Sequence, residues 1–113
     1  MDKRNSIILN KILSEIKYLE IFVKDFDMEV FLQSEEKKRV VAMTLINIGE
    51  LANHLTKEFI KSAQEVPFRK IVDLRNATAH GYHVMRFEDI WRLVQIEIPD
   101  LKSKINMLLK ESI

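Results

Sequence analysis

The chain has no cysteine, only two glycines and two prolines, and no long apolar run in its 113 residues. Without cysteine there are no disulfides and no thiolate metal site, and the redox compartment is not encoded. So few turn-forming residues argue against a loop-rich β fold and for long helices. No stretch approaches the roughly 20 apolar residues that span a bilayer. The start, MDKRNSIILNKIL, places basic residues before apolar ones. Asn10 and Lys11 interrupt the apolar stretch early and no small-residue cleavage site follows, so a signal peptide is not expected. A cytoplasmic location is the default expectation. Charge of one sign is also lacking: the net charge is +1, with acids and bases interleaved as on a solvated helix surface. A dedicated nucleic-acid binder usually carries a basic stripe, so any such contact here must be local or built from two copies.

What is present is helical periodicity. A hydrophobic fraction of 47% suffices for one small core, so residues 1–113 are expected to form a single domain, helped by a partner subunit. Ile8, Ile12, Ile16, Leu19, Val23 and Phe26 draw one stripe over a first helix from about Ser6 to Asp25. A connector around Asp27 to Leu32 follows. Ser34 reads as an N-cap, with Glu35 and Glu36 in the first turn. The second helix places Val41, Leu45, Ile48, Leu51, Ala52 and Leu55 on one side, and Gly49 within it suggests a close helix approach. Pro67 suits the first position of a third helix bearing Phe68, Ile71, Val72 and Ala79, with Gly81 as its left-handed stop. A last helix from Glu88 to about Leu109 contains Pro99, which should kink or divide it. The fold class expected is all-α, an up-and-down four-helix bundle with an additional short helix or a kinked last helix. The five methionines and six phenylalanines are read as core filler.

Chemistry concentrates in one place, the run L-R-N-A-T-A-H-G-Y from Leu74 to Tyr82. At about 100° per residue, Arg75 falls in the middle of the third helix's apolar face. An arginine there must be paired, reach into a cleft, or face another protomer. Asn76 and His80, four apart, share one edge of that helix. Arginine offers a planar fork for phosphate oxygens, and histidine exchanges protons near neutral pH. That is the equipment for cleaving an RNA phosphodiester without a metal, since RNA supplies its own 2′-hydroxyl nucleophile. Arg75 would hold the non-bridging oxygens, His80 would move protons, and Asn76 would orient the phosphate or the imidazole. One histidine does not conveniently serve as acid and base together. A homodimer would bring two histidines and two arginines around one cleft.

Simpler roles compete at each position. Arg75 could make a structural ion pair with Glu50 or Asp73, and Glu50 could thereby also orient a catalytic Arg75. His80 could merely answer the helix dipole, Asn76 could satisfy backbone groups from a buried position, and Tyr82 could pack as a rim residue. His54 and His83 do not read as a metal site: Glu50 and His54 are four apart rather than three, and there is no second such pair. No metal and no cofactor are expected.

The segment P-F-R-K-I-V-D-L-R-N-A-T-A-H-G-Y resembles the HepT-like branch of the HEPN superfamily, whose extended motif is Arg, four residues, His, any residue, Tyr. Arg75, His80 and Tyr82 match it. The likeness extends to I-N-I-G-E-L-A (Ile46 to Ala52) and to E-I-P-D-L around Pro99. Phe68 departs from it, standing where relatives often carry Trp. The resemblance implies a HEPN-like helical bundle and a metal-independent endoribonuclease toxin of a type VII-like toxin–antitoxin pair. It also implies a partner, an MntA-like nucleotidyltransferase antitoxin, which silences the toxin by attaching AMP to the motif tyrosine, here Tyr82. The alternative function is a non-catalytic helical subunit that binds and presents substrate to such a nucleotidyltransferase. A bare helical interaction module is a third.

Overall fold

The computed structural model describes residues 1–81 and 85–111, and of residues 77–80 the backbone alone. All regular structure among these residues is helical: α1 (Lys3–Val23), α2 (Met28–Gln33), α3 (Glu35–Asn53), α4 (Lys57–Ser62), α5 (Phe68–Gly81), α6 (Phe87–Arg92), a π-helical stretch (Leu93–Glu97) and α7 (Ile98–Glu111).

The helices start where short polar side chains can take up free backbone donors. Asp2 accepts from Asn5 N at the head of α1, Asp27 from Val30 N at α2, Ser34 from Lys37 N at α3, and Thr56 from Phe59 N at α4. The segment after Asp27, expected to be a connector, is therefore a short helix. Thr56 begins another that the hydrophobic pattern does not announce. Both span only six residues, too few for a 3.6-residue period to show against noise.

The apolar stripes meet in one core. Ile8, Ile12, Ile16 and Leu19 of α1, Val41, Leu45, Ile48 and Ala52 of α3, and Phe68 and Ile71 of α5 are buried together with Ile90, Val94, Ile98, Leu101 and Ile105 of the last column. Leu55 is buried too, but beyond the end of α3. The long helices run up and down. Asn5, at the start of α1, bonds Thr56 just past the end of α3, and Glu15 meets Asn47 midway along both. Glu20 near the end of α1 meets Lys102 near the start of α7. On the other side of α3, Gly49 backs onto Ile71 and Arg75 of α5. The lateral order is thus α5, α3, α1, α7.

The phenylalanines behave as core residues: Phe31 and Phe68 are buried and the other four are partly buried against the core. Phe26, Phe31, Phe87 and Trp91 form an aromatic cluster under α2 and α6, with ring centroids 5.1 to 6.5 Å apart. Met85 packs against the core as expected, but the other four methionines do not. Met1, Met28, Met43 and Met107 are exposed, because the branched aliphatics and phenylalanines already fill the interior.

The last helical column continues through Pro99 and is divided just ahead of it by the π-helical stretch, as the proline suggested. Ile98 N–H donates to the carbonyl of Leu93, five residues back, which widens the turn just ahead of the ring. A proline in an ordinary turn would press on the carbonyl four residues earlier and orphan it. The wide turn gives the ring room, and Leu93, Val94, Ile98 and Leu101 are all buried.

Candidate functional site

The site is built where α5 lies against α3. Gly49 makes the approach possible: a Cβ there would collide with the Cβ of Arg75, and would stand 2.9 Å from its Cγ and 3.0 Å from the carbonyl oxygen of Ile71. Glycine is used for close approach, since neither residue 49 nor residue 81 has a positive φ. Gly81 is the last residue of α5, in helical conformation, rather than the left-handed stop expected from its position.

With its stem laid on Gly49, Arg75 is only half-buried, its side chain 31% exposed. It therefore does not sit in the middle of a sealed apolar face. Phe68 and Ile71 face the core, while Arg75 lies on the seam between the two helices. Its Nη2 pairs with Glu50 Oε2 at 2.5 Å, and its Nη1 donates to Asn76 Oδ1 at 2.6 Å. Of the two acids considered from the sequence, Glu50 is the partner; it is adjacent to Gly49 and so lies opposite Arg75. The other Glu50 oxygen, Oε1, is 3.6 Å from Nε2 of His54, one turn further along α3. The arrangement is a chain across the seam: His54, Glu50, Arg75, Asn76.

Two points correct or extend the reading of the sequence. Asn76 is exposed, so it is not a buried amide serving the backbone; its oxygen steadies the Arg75 fork. His54 joins the network through the same four-residue spacing from Glu50 that made the pair unattractive as a metal motif. No group of three or more His, Asp or Glu placed to hold a metal occurs among the described residues.

An arginine fork has five N–H donors. Glu50 and Asn76 each take one, and the Nε–H is buried with no partner among the described residues. The exposed edge of the guanidinium is thus oriented and still able to donate to an anion. The helix carries position 80 one turn beyond Asn76, but the side chain of His80 lies outside the described residues. So do Tyr82, His83 and the side chain of Ala79.

The comparisons with known proteins concern nearly the whole chain. The model of the family described as "Ribonuclease HepT-like" matches residues 12–108. The chain belongs to the HepT-like ribonuclease family. Among HepT-like relatives, "Putative RNase TTE0752" of Caldanaerobacter subterraneus subsp. tengcongensis is 30% identical over 103 residues, covering 91% of this chain and 92% of that protein. "Putative RNase MJ0125" of Methanocaldococcus jannaschii is 28% identical over 112 residues, covering 98% and 97%. "Probable ribonuclease HepT" of Thermococcus cleftensis is 27% identical over 110 residues, covering 97% and 100%. No solved structure matches the chain. The helical bundle is thus a HepT-like ribonuclease fold, with Arg75 on the seam of its α3–α5 pair.

Proposed function

We propose that this HepT-like protein is a metal-independent endoribonuclease toxin that cleaves RNA at Arg75, Asn76 and His80. The observation that carries the proposal is the guanidinium of Arg75, held from two sides by Glu50 and Asn76 and still partly open to solvent. A fork fixed in this way suits the non-bridging oxygens of a phosphodiester, whose negative charge grows as the phosphorus becomes five-coordinate.

In the proposed reaction the RNA 2′-oxygen attacks the adjacent phosphorus and the bond from phosphorus to the 5′-oxygen breaks. A neutral His80 takes the 2′-hydroxyl proton, and a protonated histidine returns one to the departing 5′-oxygen. The products are a 2′,3′-cyclic phosphate and a 5′-hydroxyl. In a homodimer with two α5 helices around one cleft, His80 of one protomer acts as base while that of its partner acts as acid. Control belongs to an MntA-like nucleotidyltransferase that transfers AMP to Tyr82. The added phosphodiester would compete for Arg75 and repel the substrate backbone.

The test is incubation of the purified protein with total RNA in EDTA. Cleavage should proceed, leave cyclic phosphate ends, and fall by about 10²–10⁴ in His80→Ala, with a comparable loss in Arg75→Ala. Full activity in His80→Ala, or strict dependence on a divalent ion, would remove the mechanism.

A further inference from the structure

Beside the Arg75 seam, where α4, the end of α3 and the start of α5 meet, a groove of about 840 Å³ is lined by Lys57, Lys61, Arg69, Gln64 and Asn53 over an apolar floor that includes Val72. No acid lines it. In a chain of net charge +1 such a concentration of one sign needs acids to be elsewhere. Glu58 and Glu65, the nearest in sequence, are both exposed outside the groove.

Lys38, Lys70, Arg86, Arg92, Lys102 and Lys104 each pair with a carboxylate. Lys57, Lys61 and Arg69 make no ion pair among the described residues. What sets the three cations apart is their shared groove, since Lys3, Lys11 and Lys17 of α1 also make no ion pair among the described residues.

The groove leads to the candidate site. Arg69, Val72 and Asn76 follow one another at three- and four-residue steps, so they lie along one ridge of α5. From Arg69 to Asn76 that ridge climbs about 10 Å, and Arg75 adjoins its upper end. A single nucleic-acid strand engaged at Arg75 therefore has a positive track with an apolar floor within a few nucleotides. Cationic grooves with a surface for base or ribose contact are how proteins hold single strands without reading sequence.

We propose that this α3–α4–α5 groove is a binding site for the sugar–phosphate backbone of single-stranded RNA, in which Lys57, Lys61 and Arg69 hold phosphates flanking the one cleaved. The proposal rests on the ribonuclease reading for its choice of ligand, but it concerns binding rather than chemistry. These residues touch no reacting atom, and they supply affinity for long substrates.

The test uses the full chain and a fluorescent single-stranded 2′-O-methyl RNA of about 12 nucleotides, within the span that such grooves cover. This RNA lacks the nucleophile, so binding is read without cleavage. Anisotropy titrations at several salt concentrations compare the wild type with a Lys57→Gln/Lys61→Gln/Arg69→Gln variant. A second variant of equal charge, Lys3→Gln/Lys11→Gln/Lys17→Gln, changes exposed lysines of α1. Each lost phosphate contact lowers the salt slope by about 0.7 on a single strand. The groove variant should lose about 2 from the slope and roughly 10- to 100-fold in affinity near 0.1 M salt, while the α1 variant keeps the wild-type slope. Lys61→Gln alone should lose about 0.7. If wild-type protein binds RNA with this dependence but cleaves none, the groove stands and the ribonuclease reading falls. Equal losses in both triple variants, an unchanged slope in the groove variant, or wild-type protein that does not bind the RNA would overturn the groove. So would a groove variant that binds RNA normally but no longer associates with a nucleotidyltransferase partner.

Discussion

Substituting Gly49 by alanine sets two sizeable effects against each other. Alanine in a helix interior is favoured over glycine by about 0.8–1.0 kcal/mol, so α3 alone should gain. The added methyl, however, meets the Cβ of Arg75 and the carbonyl oxygen of Ile71, far inside the roughly 3.5–4.0 Å at which carbons pack at ease. Neither obstacle can rotate away, because one is fixed to the α5 backbone and the other is part of it. Overpacking of this kind costs about 1–3 kcal/mol, and a backbone-borne clash belongs at the upper end. The net expectation is a loss of about 2 kcal/mol, or a fall in Tm of roughly 8 °C for a chain of this size, read by far-UV circular dichroism. RNA cleavage should fall as well, since separating α5 from α3 pulls Arg75 off Glu50. A double-mutant cycle identifies the cause. Arg75→Ala keeps the Cβ and should not relieve the alanine at position 49. Arg75→Gly removes it and should recover most of the loss, giving a coupling of about 2 kcal/mol against the few tenths seen for independent sites. A Gly49→Ala protein as stable as the wild type, or equal coupling with both Arg75 variants, would refute the reasoning.

Three further outcomes are expected. Glu50→Ala should change stability by no more than about 1 kcal/mol, because the pair with Arg75 is partly exposed; it should nonetheless lower kcat on RNA on the order of tenfold by releasing the fork, with Glu50→Gln retaining more activity, and equal kcat in all three proteins would remove its positioning role. Asn5 is buried at 3% exposure and exchanges two hydrogen bonds of 3.1 Å with Thr56, so Asn5→Ala should cost about 1–3 kcal/mol in thermal or urea unfolding, and a variant as stable as the wild type would remove that role. Tyr82→Phe should keep most of the ribonuclease activity yet escape silencing by a co-expressed MntA-like nucleotidyltransferase with ATP; an AMP adduct mapped to another residue by mass spectrometry would take Tyr82 out of the mechanism.

The helical class and most of what is buried are legible in the order of residues alone. The stripes of α1, α3 and the last column hold in the structure because a 3.6-residue period is a property of the local backbone, whatever the helix packs against. The Ser34 cap is local in the same way. The Arg75-to-Tyr82 spacing resembles the motif of the HepT-like family, whose model matches residues 12–108. Gly49 hinted at close approach, but only the packing of α3 on α5 says that Arg75 is what it approaches. That same packing decided that Glu50 and not Asp73 takes the guanidinium, since Asp73 points from the exposed side of α5. It also carried His54 into the network. The short helices α2 and α4 were illegible because six residues make too little of a period, and the form of the break at Pro99 because a kink and a wide turn both accommodate a residue that has no N–H to donate. The basic groove was the least legible of all. Its residues come from three helices and the turn between two of them, with acids interspersed among them. Only the fold sorts Lys57, Lys61 and Arg69 to one side of that surface and Glu58 and Glu65 away from it, because side-chain direction across helices is set by packing and not by order along the chain.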